Sequence, residues 1–404
     1  MYLSAFVGGL LFFIPIFALY VEEQLFTVTN VAIILAVEAI AFAIFEIPTG
    51  ALSDLFGRKK AMILGHIMSL FALAFLYIGG SMQMFILYGI LNAFGRSLVS
   101  GADGALIYDT LKSEAKENLF KKFVGTYRAI KPLGIMTGAI IGGYLAKVSL
   151  SLPVLLTVIP AAIAAILLIF LKEPEYEEEI HKNIFRHMGN SAKTIIGSKQ
   201  LIIMLCGVFI LGAMGETMHA LGPLFFEFKE VPIEIFGWIT ASIFMFSSAG
   251  HYFSHEISEK WGNKKILLLT VIASPLLILI STLLTKYLAI IFFASQSLFY
   301  GMRNPILENF INKEVPSSKR ATALSTTNFM KQIGYGIFSP FIGYFADLYT
   351  INTAFKISSL LMFAVFILYL FIRESDDKKP SKPATPLRTD QEERFEQPTH
   401  PIRF

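Results

Sequence analysis

The chain has little that a soluble enzyme needs. It carries a single cysteine, Cys206, in 404 residues. This excludes an internal disulfide and a thiolate metal cluster, and the placement of Cys206 within an apolar run gives it a packing role. Charge is scarce: Asp, Glu, Lys and Arg make up 16% of the residues, whereas 54% are hydrophobic and 38 are Phe. With a mean hydropathy of +0.61, that composition excludes a water-soluble globular fold. A His-x-x-Glu-His pair, a nucleotide-binding glycine loop and an appended catalytic domain are also missing. No enzyme activity, cofactor or metal is therefore expected.

Long apolar runs take the place of these features. Twelve of them, each near the length that crosses a ~30 Å hydrocarbon layer as a helix, fall at 3–20, 30–52, 61–80, 83–107, 124–147, 152–172, 200–226, 234–254, 265–285, 288–310, 321–346 and 351–373. The first lacks a basic leader and a small-x-small cleavage site, so it reads as a span and not as a signal peptide. Most of the 34 Lys and Arg fall in the loops of one face or in the tail, with Lys147, Lys229, Lys286 and Lys356 on the other. By the positive-inside rule both termini are cytoplasmic, and the chain is expected to be a multi-pass protein of the cell membrane, inner or plasma. The basic residues orient the protein in its bilayer, so no nucleic-acid partner is needed.

The chain divides into a six-helix bundle over residues 1–172, a charged linker over 173–199, a second six-helix bundle over 200–373 and a tail over 374–404. The linker is expected to hold a short amphipathic helix lying along the inner face. The tail, charged and Pro-rich, is expected to be disordered. The halves are copies. Gly50-Ala-Leu-Ser-Asp54-Leu-Phe-Gly57-Arg58-Lys59-Lys60 recurs in worn form 205 residues later around Ser258-Glu259-Lys260-Trp261-Gly262-Asn263-Lys264-Lys265. At an offset of 200, Lys131, Gly134, Gly143 and Tyr144 match Lys331, Gly334, Gly343 and Tyr344.

Twelve spans in a six-plus-six arrangement, with this loop after the second and eighth, resemble the major facilitator superfamily, although Leu55 stands where that family has Arg or Lys. The resemblance implies an all-α membrane protein of twelve transmembrane helices. They form two pseudo-symmetric six-helix bundles around a midplane cavity. Gly134-Ile-Met-Thr-Gly138-Ala139-Ile-Ile-Gly142-Gly143 is similar to the fifth-helix signature of the proton-coupled drug antiporters of that superfamily, with Ala139 in place of its proline. Arg96 resembles their fourth-helix arginine, with the following glycine, Gly101, one residue late. The glycines also serve helix packing alone.

In the loop, Gly50 and Gly57 are expected to allow a tight turn and close helix approach. Asp54 is expected to cap the eleventh span near Ala321, and Glu259 the fifth near Val124, as latches between the halves when the cytoplasmic side is closed. Arg58 is expected to pair with Asp109. In the second half both positions have become Asn, Asn263 and Asn309. The alternative is that Arg58, Lys59 and Lys60 serve only to orient the loop.

Ionisable groups inside spans mark cavities or partners. Glu38, Arg96, Asp103, Glu216, His219 and Arg303 are the candidates for the substrate and proton pathway. Asp103 and Arg303, equivalent in the two repeats and opposite in charge, could form a gate across the halves. Alternatively Asp103 pairs within its own half with Arg128 or Lys131. Glu46, Arg128, Lys131 and Lys331 form the expected buried charge network, with Arg128 or Lys131 as the partner of Glu46. Glu216 and His219 lie in a Gly-broken stretch and either exchange a proton or satisfy one another.

The expected function is alternating-access transport of a small molecule, as proton-coupled efflux of amphipathic or drug-like compounds. The alternative is proton-coupled uptake or facilitated transport of a polar or anionic metabolite. The expected partners are that substrate, protons and the lipid bilayer, with the chain working as a monomer.

Overall fold

The computed structural model describes residues 1–173 and 197–373, with all their side chains except those at 47, 51, 54, 318 and 321. The expected linker helix, the disordered tail and the carboxylate of Asp54 lie outside the described residues.

Among the described residues the chain is helical and contains no strand. The first span is broken into α1 (Tyr2–Gly8), a 3-10 turn (Ile14–Ile16) and α2 (Phe17–Leu25). Next come α3 (Val28–Phe56), α4 (Arg58–Ile78), α5 (Met82–Ser113), α6 (Phe120–Ala146) and α7 (Ser151–Ile169). The seventh span comprises α8 (Lys199–Gly207), a π turn (Val208–Gly212), α9 (Ala213–Ala220) and α10 (Gly222–Phe228). The remainder are α11 (Ile233–Trp261), α12 (Asn263–Leu283), α13 (Lys286–Glu314), α14 (Arg320–Leu348), α15 (Ile351–Met362) and α16 (Ala364–Leu370).

Nine stretches are long and apolar enough to cross a membrane among the described residues. The other three expected spans fall short for identifiable reasons. The first is broken. In α13, Gln296, Arg303, Asn304 and Glu308 dilute the apolar content, as Asn328, Lys331 and Gln332 do in α14. Helix ends extend past the expected spans at several places, since a helix does not stop where the hydrocarbon does.

Local chemistry sets several starts. The hydroxyls of Thr27, Ser198 and Thr350 accept from the backbone N–H of Asn30, Leu201 and Thr353 at 3.2, 3.3 and 3.1 Å, capping α3, α8 and α15. The repeated loop has the same backbone in both copies: Gly57 has φ 98° and ψ 138°, and Gly262 has φ 90° and ψ 138°. A side chain would be strained at either position. Gly50 fills neither of the roles expected of it, the turn or the close approach. It lies inside α3, away from the turn, and a Cβ there would meet nothing within 4 Å; the contact between α3 and α5 is made at Gly101, where a Cβ would lie 3.4 Å from the Gly50 Cα.

The loop is also anchored alike in the two halves. Lys59 donates to the carbonyl of Ile169 at 2.8 Å, and Lys264 donates to the carbonyl of Leu370 at 3.2 Å. Each lysine thus satisfies a backbone acceptor in the last turn of the sixth helical span of its own half, where positive charge is favoured. Glu173 accepts from the backbone N–H of Lys59 at 3.0 Å and closes the start of α4.

We call the face bearing Gly57 and Gly262 the loop face. The first and second halves of the chain meet along two seams, α3 with α14 and α6 with α11, and the contacts that join them are tight toward the opposite face. Asp347 accepts from the backbone N–H groups of Val28 and Thr29, both at 2.8 Å, and from the Thr29 hydroxyl. Ser339 donates to the carbonyl of Ala32 at 3.1 Å. On the other seam Lys147 pairs with Glu234 at 3.1 Å and the Trp238 indole donates to the Tyr144 hydroxyl at 3.2 Å. A Cβ on Gly143 would lie 2.9 Å from the backbone N of Gly237, so the two backbones touch.

Candidate functional site

The site is built on positions where helices approach closely. Gly89 of α5 would place a Cβ 3.6 Å from the Cβ of Glu38, so α3 and α5 come together there. Asn92 and Arg96, three and seven residues on, share the face of Gly89. Both therefore reach one oxygen of Glu38, Asn92 at 2.9 Å and Arg96 at 2.6 Å. Phe42, one turn along α3 from Glu38, lies under the guanidinium at 5.1 Å. Arg96 is held by a carboxylate and a ring, with 52% of its side chain still open to the cavity.

The second half makes a comparable pair from different helices. Glu216 on α9 accepts from the Lys331 ammonium of α14 at 2.7 Å and from the Tyr300 hydroxyl of α13 at 3.2 Å. The Lys331 stem crosses Gly212, the last residue of the π turn, at 3.5 Å from where a Cβ would stand. A π turn inserts a residue into the helix and re-aims the side chains beyond it, and Glu216 lies in the very next turn.

A cavity of about 590 Å³ joins the two halves. Glu38, Arg96, Asp103, Lys131, Glu216 and His219 contribute to its wall, together with aromatic rings from both halves. It extends along α1 to Met1 and along α4 to Met62, on the loop-face side of the molecule.

Several expected partnerships are replaced by others. Arg303 does not meet Asp103. It is 4% exposed, with its guanidinium 5.4 Å from the Tyr300 ring and one terminal nitrogen without a hydrogen-bond partner. Asp103 accepts from the backbone N–H of Gly104 at 2.6 Å, with Lys131 and Arg128 as its electrostatic neighbours. His219 makes no hydrogen bond or ion pair with Glu216 among the described residues, although Glu216 is its charged neighbour; its ring stands edge-on to Phe244 at 6.2 Å. Glu46 makes no side-chain hydrogen bond or ion pair among the described residues, and the cation nearest to it in effect is Lys331 and not Arg128 or Lys131. Glu259 is 71% exposed at its side chain and lies 3.5 Å from His255, one turn away on its own helix. Arg58 and Asp109 form an ion pair, and Arg58 also donates to the carbonyl of Ala105 at 2.9 Å.

Residue types and spacing did not point to Asn92, Tyr300, His66 or Tyr335. Asn92 could have been found from its place one turn before Arg96. Tyr300 is 84 residues from Glu216, and only the fold brings them together.

The glycines of α6 have a visible packing role. A Cβ on Gly138 would lie 2.8 Å from the backbone N of Leu11, in the broken stretch between α1 and α2. Thr157 of α7 accepts from the backbone N–H of Phe12 at 3.1 Å and satisfies one group that the break frees.

A family model described as the Major Facilitator Superfamily matches residues 1–231 and 209–401. The chain belongs to the major facilitator superfamily. It is 24% identical over 383 residues to the class H tetracycline resistance protein of Pasteurella multocida, covering 89% of this chain and 90% of that one. It is 23% identical over 380 residues to YxaM of Bacillus subtilis (strain 168), an uncharacterized transporter of the superfamily, covering 90% and 92%. Among solved structures, a mutant of the nucleoside transporter NupG superposes with a TM-score of 0.81 at 14% identity, covering 92% of this chain and 98% of that one. This superfamily member is accordingly a multi-pass membrane transporter and not an enzyme, with the helical fold of its relatives.

Proposed function

We propose that this transporter exports amphipathic or drug-like small molecules in exchange for protons. The observation that carries the reading is the pair of carboxylate–cation contacts on the cavity wall, Glu38 with Arg96 and Glu216 with Lys331, one in each half. A proton arriving on either carboxylate leaves a cation without its counter-charge at membrane depth, which is costly. That cost changes the relative stability of the two access states, as coupling requires. The similarity to a tetracycline resistance protein supports a drug-like substrate, and the aromatic cavity wall suits varied apolar shapes.

In this reading the loop face is cytoplasmic, so closure at the opposite face makes the present state inward-open. Asp54 and Glu259 form their latches when the cytoplasmic side closes, and a single chain completes the cavity as a monomer in the cell membrane.

The test is transport in proteoliposomes under an imposed pH gradient, with a panel of amphipathic dyes and antibiotics. Substrate and protons are expected to move in opposite directions; movement together overturns antiport in favour of uptake. Glu38→Gln and Glu216→Gln are expected to weaken coupling, and intact coupling in both variants overturns the proton-site assignment.

A further inference from the structure

Lys131 and Lys331 occupy equivalent places in α6 and α14, 200 residues apart, yet of the two only Lys331 makes an ion pair among the described residues. Lys331 is neutralised by Glu216. Lys131 lines the cavity and makes no ion pair or side-chain hydrogen bond among the described residues. Its electrostatic neighbours are Arg96, already taken by Glu38, and Asp103. Asp103 in turn has Arg128 as a second cation close by and is engaged by the backbone N–H of Gly104. His66, with Nδ1 at 2.9 Å from the carbonyl of Met62, is the other titratable group that feels Lys131. Arg96, Arg128 and Lys131 thus share the carboxylates of Glu38 and Asp103, and of the three cations Arg96 and Lys131 line the cavity.

The helix that abuts Lys131 offers it no acid. A Cβ on Gly9 would lie 2.6 Å from the Lys131 carbonyl, which places the broken part of the first span against it. From Tyr2 to Val21 that span contains no Asp or Glu. An ammonium at this depth stays charged only beside a water-filled cavity or a counter-ion, and Lys131 faces the cavity, whose wall also holds Phe13 and Phe17.

We propose that Lys131 is the counter-charge for the substrate, which is an amphipathic organic anion with a single carboxylate or equivalent group. The anionic head sits at Lys131, and the apolar body lies along the rings of Phe13, Phe17 and Phe42. This inference rests on the transport reading for its site, but it concerns what binds and not which way it moves.

Binding to the full-length protein in non-ionic detergent tests it, with probes that share a body and differ in charge. The probes are 2-naphthylacetate, its primary amide and 2-naphthylethylamine, with laurate and lauramide as a second body. Wild-type protein is expected to bind each carboxylate about tenfold or more tightly than its amide. Lys131→Gln is expected to bring that ratio to about twofold or less while leaving amide affinity unchanged, and Lys131→Arg to keep most of it. A preference for the amine, no saturable binding of any probe, or an equal loss of all probes in Lys131→Gln overturns the proposal. If Lys131→Gln does not fold, the wild-type ratio and Lys131→Arg still decide: no carboxylate preference in wild type overturns it. No gradient is involved, so a failure of proton exchange in liposomes leaves this result standing, and the converse also holds.

Discussion

Asp347 and Lys147 occupy the same place in the two repeats and carry opposite charges, yet each holds the first turn of a helix from the other half. Asp347 suits the positive start of α3 directly and accepts its backbone N–H groups. Lys147 would be repelled by the equivalent start of α11, and there Glu234, aligned with Thr29 at an offset of 205, supplies the negative charge.

These two contacts should differ in weight. Asp347→Ala removes a helix cap worth about 1 kcal/mol, which opens the opposite face about fivefold more often. Lys147→Ala removes an exposed pair whose contribution is small and falls further in high salt. The check is the labelling rate of a reporter cysteine on that face, in a Cys206→Ser background. Equal effects of the two variants would count against the capping argument.

Gly143 and Gly237 meet backbone to backbone, so a side chain at either position must push the halves apart. Gly237→Val is expected to destabilise the closed seam by about 1–3 kcal/mol, seen as faster labelling at the opposite face and slower transport. Unchanged labelling would show that the seam yields without cost.

Arg58 and Asp109 are mostly buried, with side chains 16% and 10% exposed. Removing one charge strands the other, so Asp109→Asn alone is expected to cost on the order of 3 kcal/mol in thermal unfolding. Combining it with Arg58→Asn, the arrangement of the second repeat, should recover much of that loss. A double variant no more stable than the single one would contradict it.

Acidity at the opposite face should favour closure. Burial, then Asp347 and Glu23, hold the Glu22 carboxyl above its ordinary value of 4.5. Burial, then Glu22 and Glu23, do the same for Glu227. A carboxyl raised in the closed state penalises that state while both forms are ionised. The penalty is relieved as pH falls through the raised value toward 4.5. Labelling at the opposite face should therefore slow as the pH on that side falls from about 7 to about 5, and Glu22→Gln should flatten the response and slow labelling at about pH 7. Faster labelling on acidification would reverse the assignment.

The helical architecture was legible because membrane spans must satisfy their backbone internally, which leaves a strong apolar signal. The Arg58–Asp109 pair could be read because both members changed together in the second copy. Side-chain partners deeper in the membrane could not be read this way. Glu216 finds Lys331 through a π turn that no residue type announces, and Arg303 turns into its own half against Tyr300, where charge complementarity with Asp103 had suggested a gate. Opposite charges at equivalent positions say which residues could meet, and the direction in which a helix aims them decides which do.

One helix carries three of these features. Gly143 on α6 touches the other half, Gly138 supports the break in the first span, and Lys131 faces the cavity. Twelve residues of helix separate Gly143 from Lys131, about 18 Å at 1.5 Å per residue. A tilt of about 10° with its fulcrum at Gly143 would swing Lys131 by about 3 Å over that arm. That stroke is the difference between gripping an anion directly and holding it through water. If Lys131 holds the substrate as proposed, α6 would work as a lever, with the seam between the halves as its pivot and the cargo at its working end.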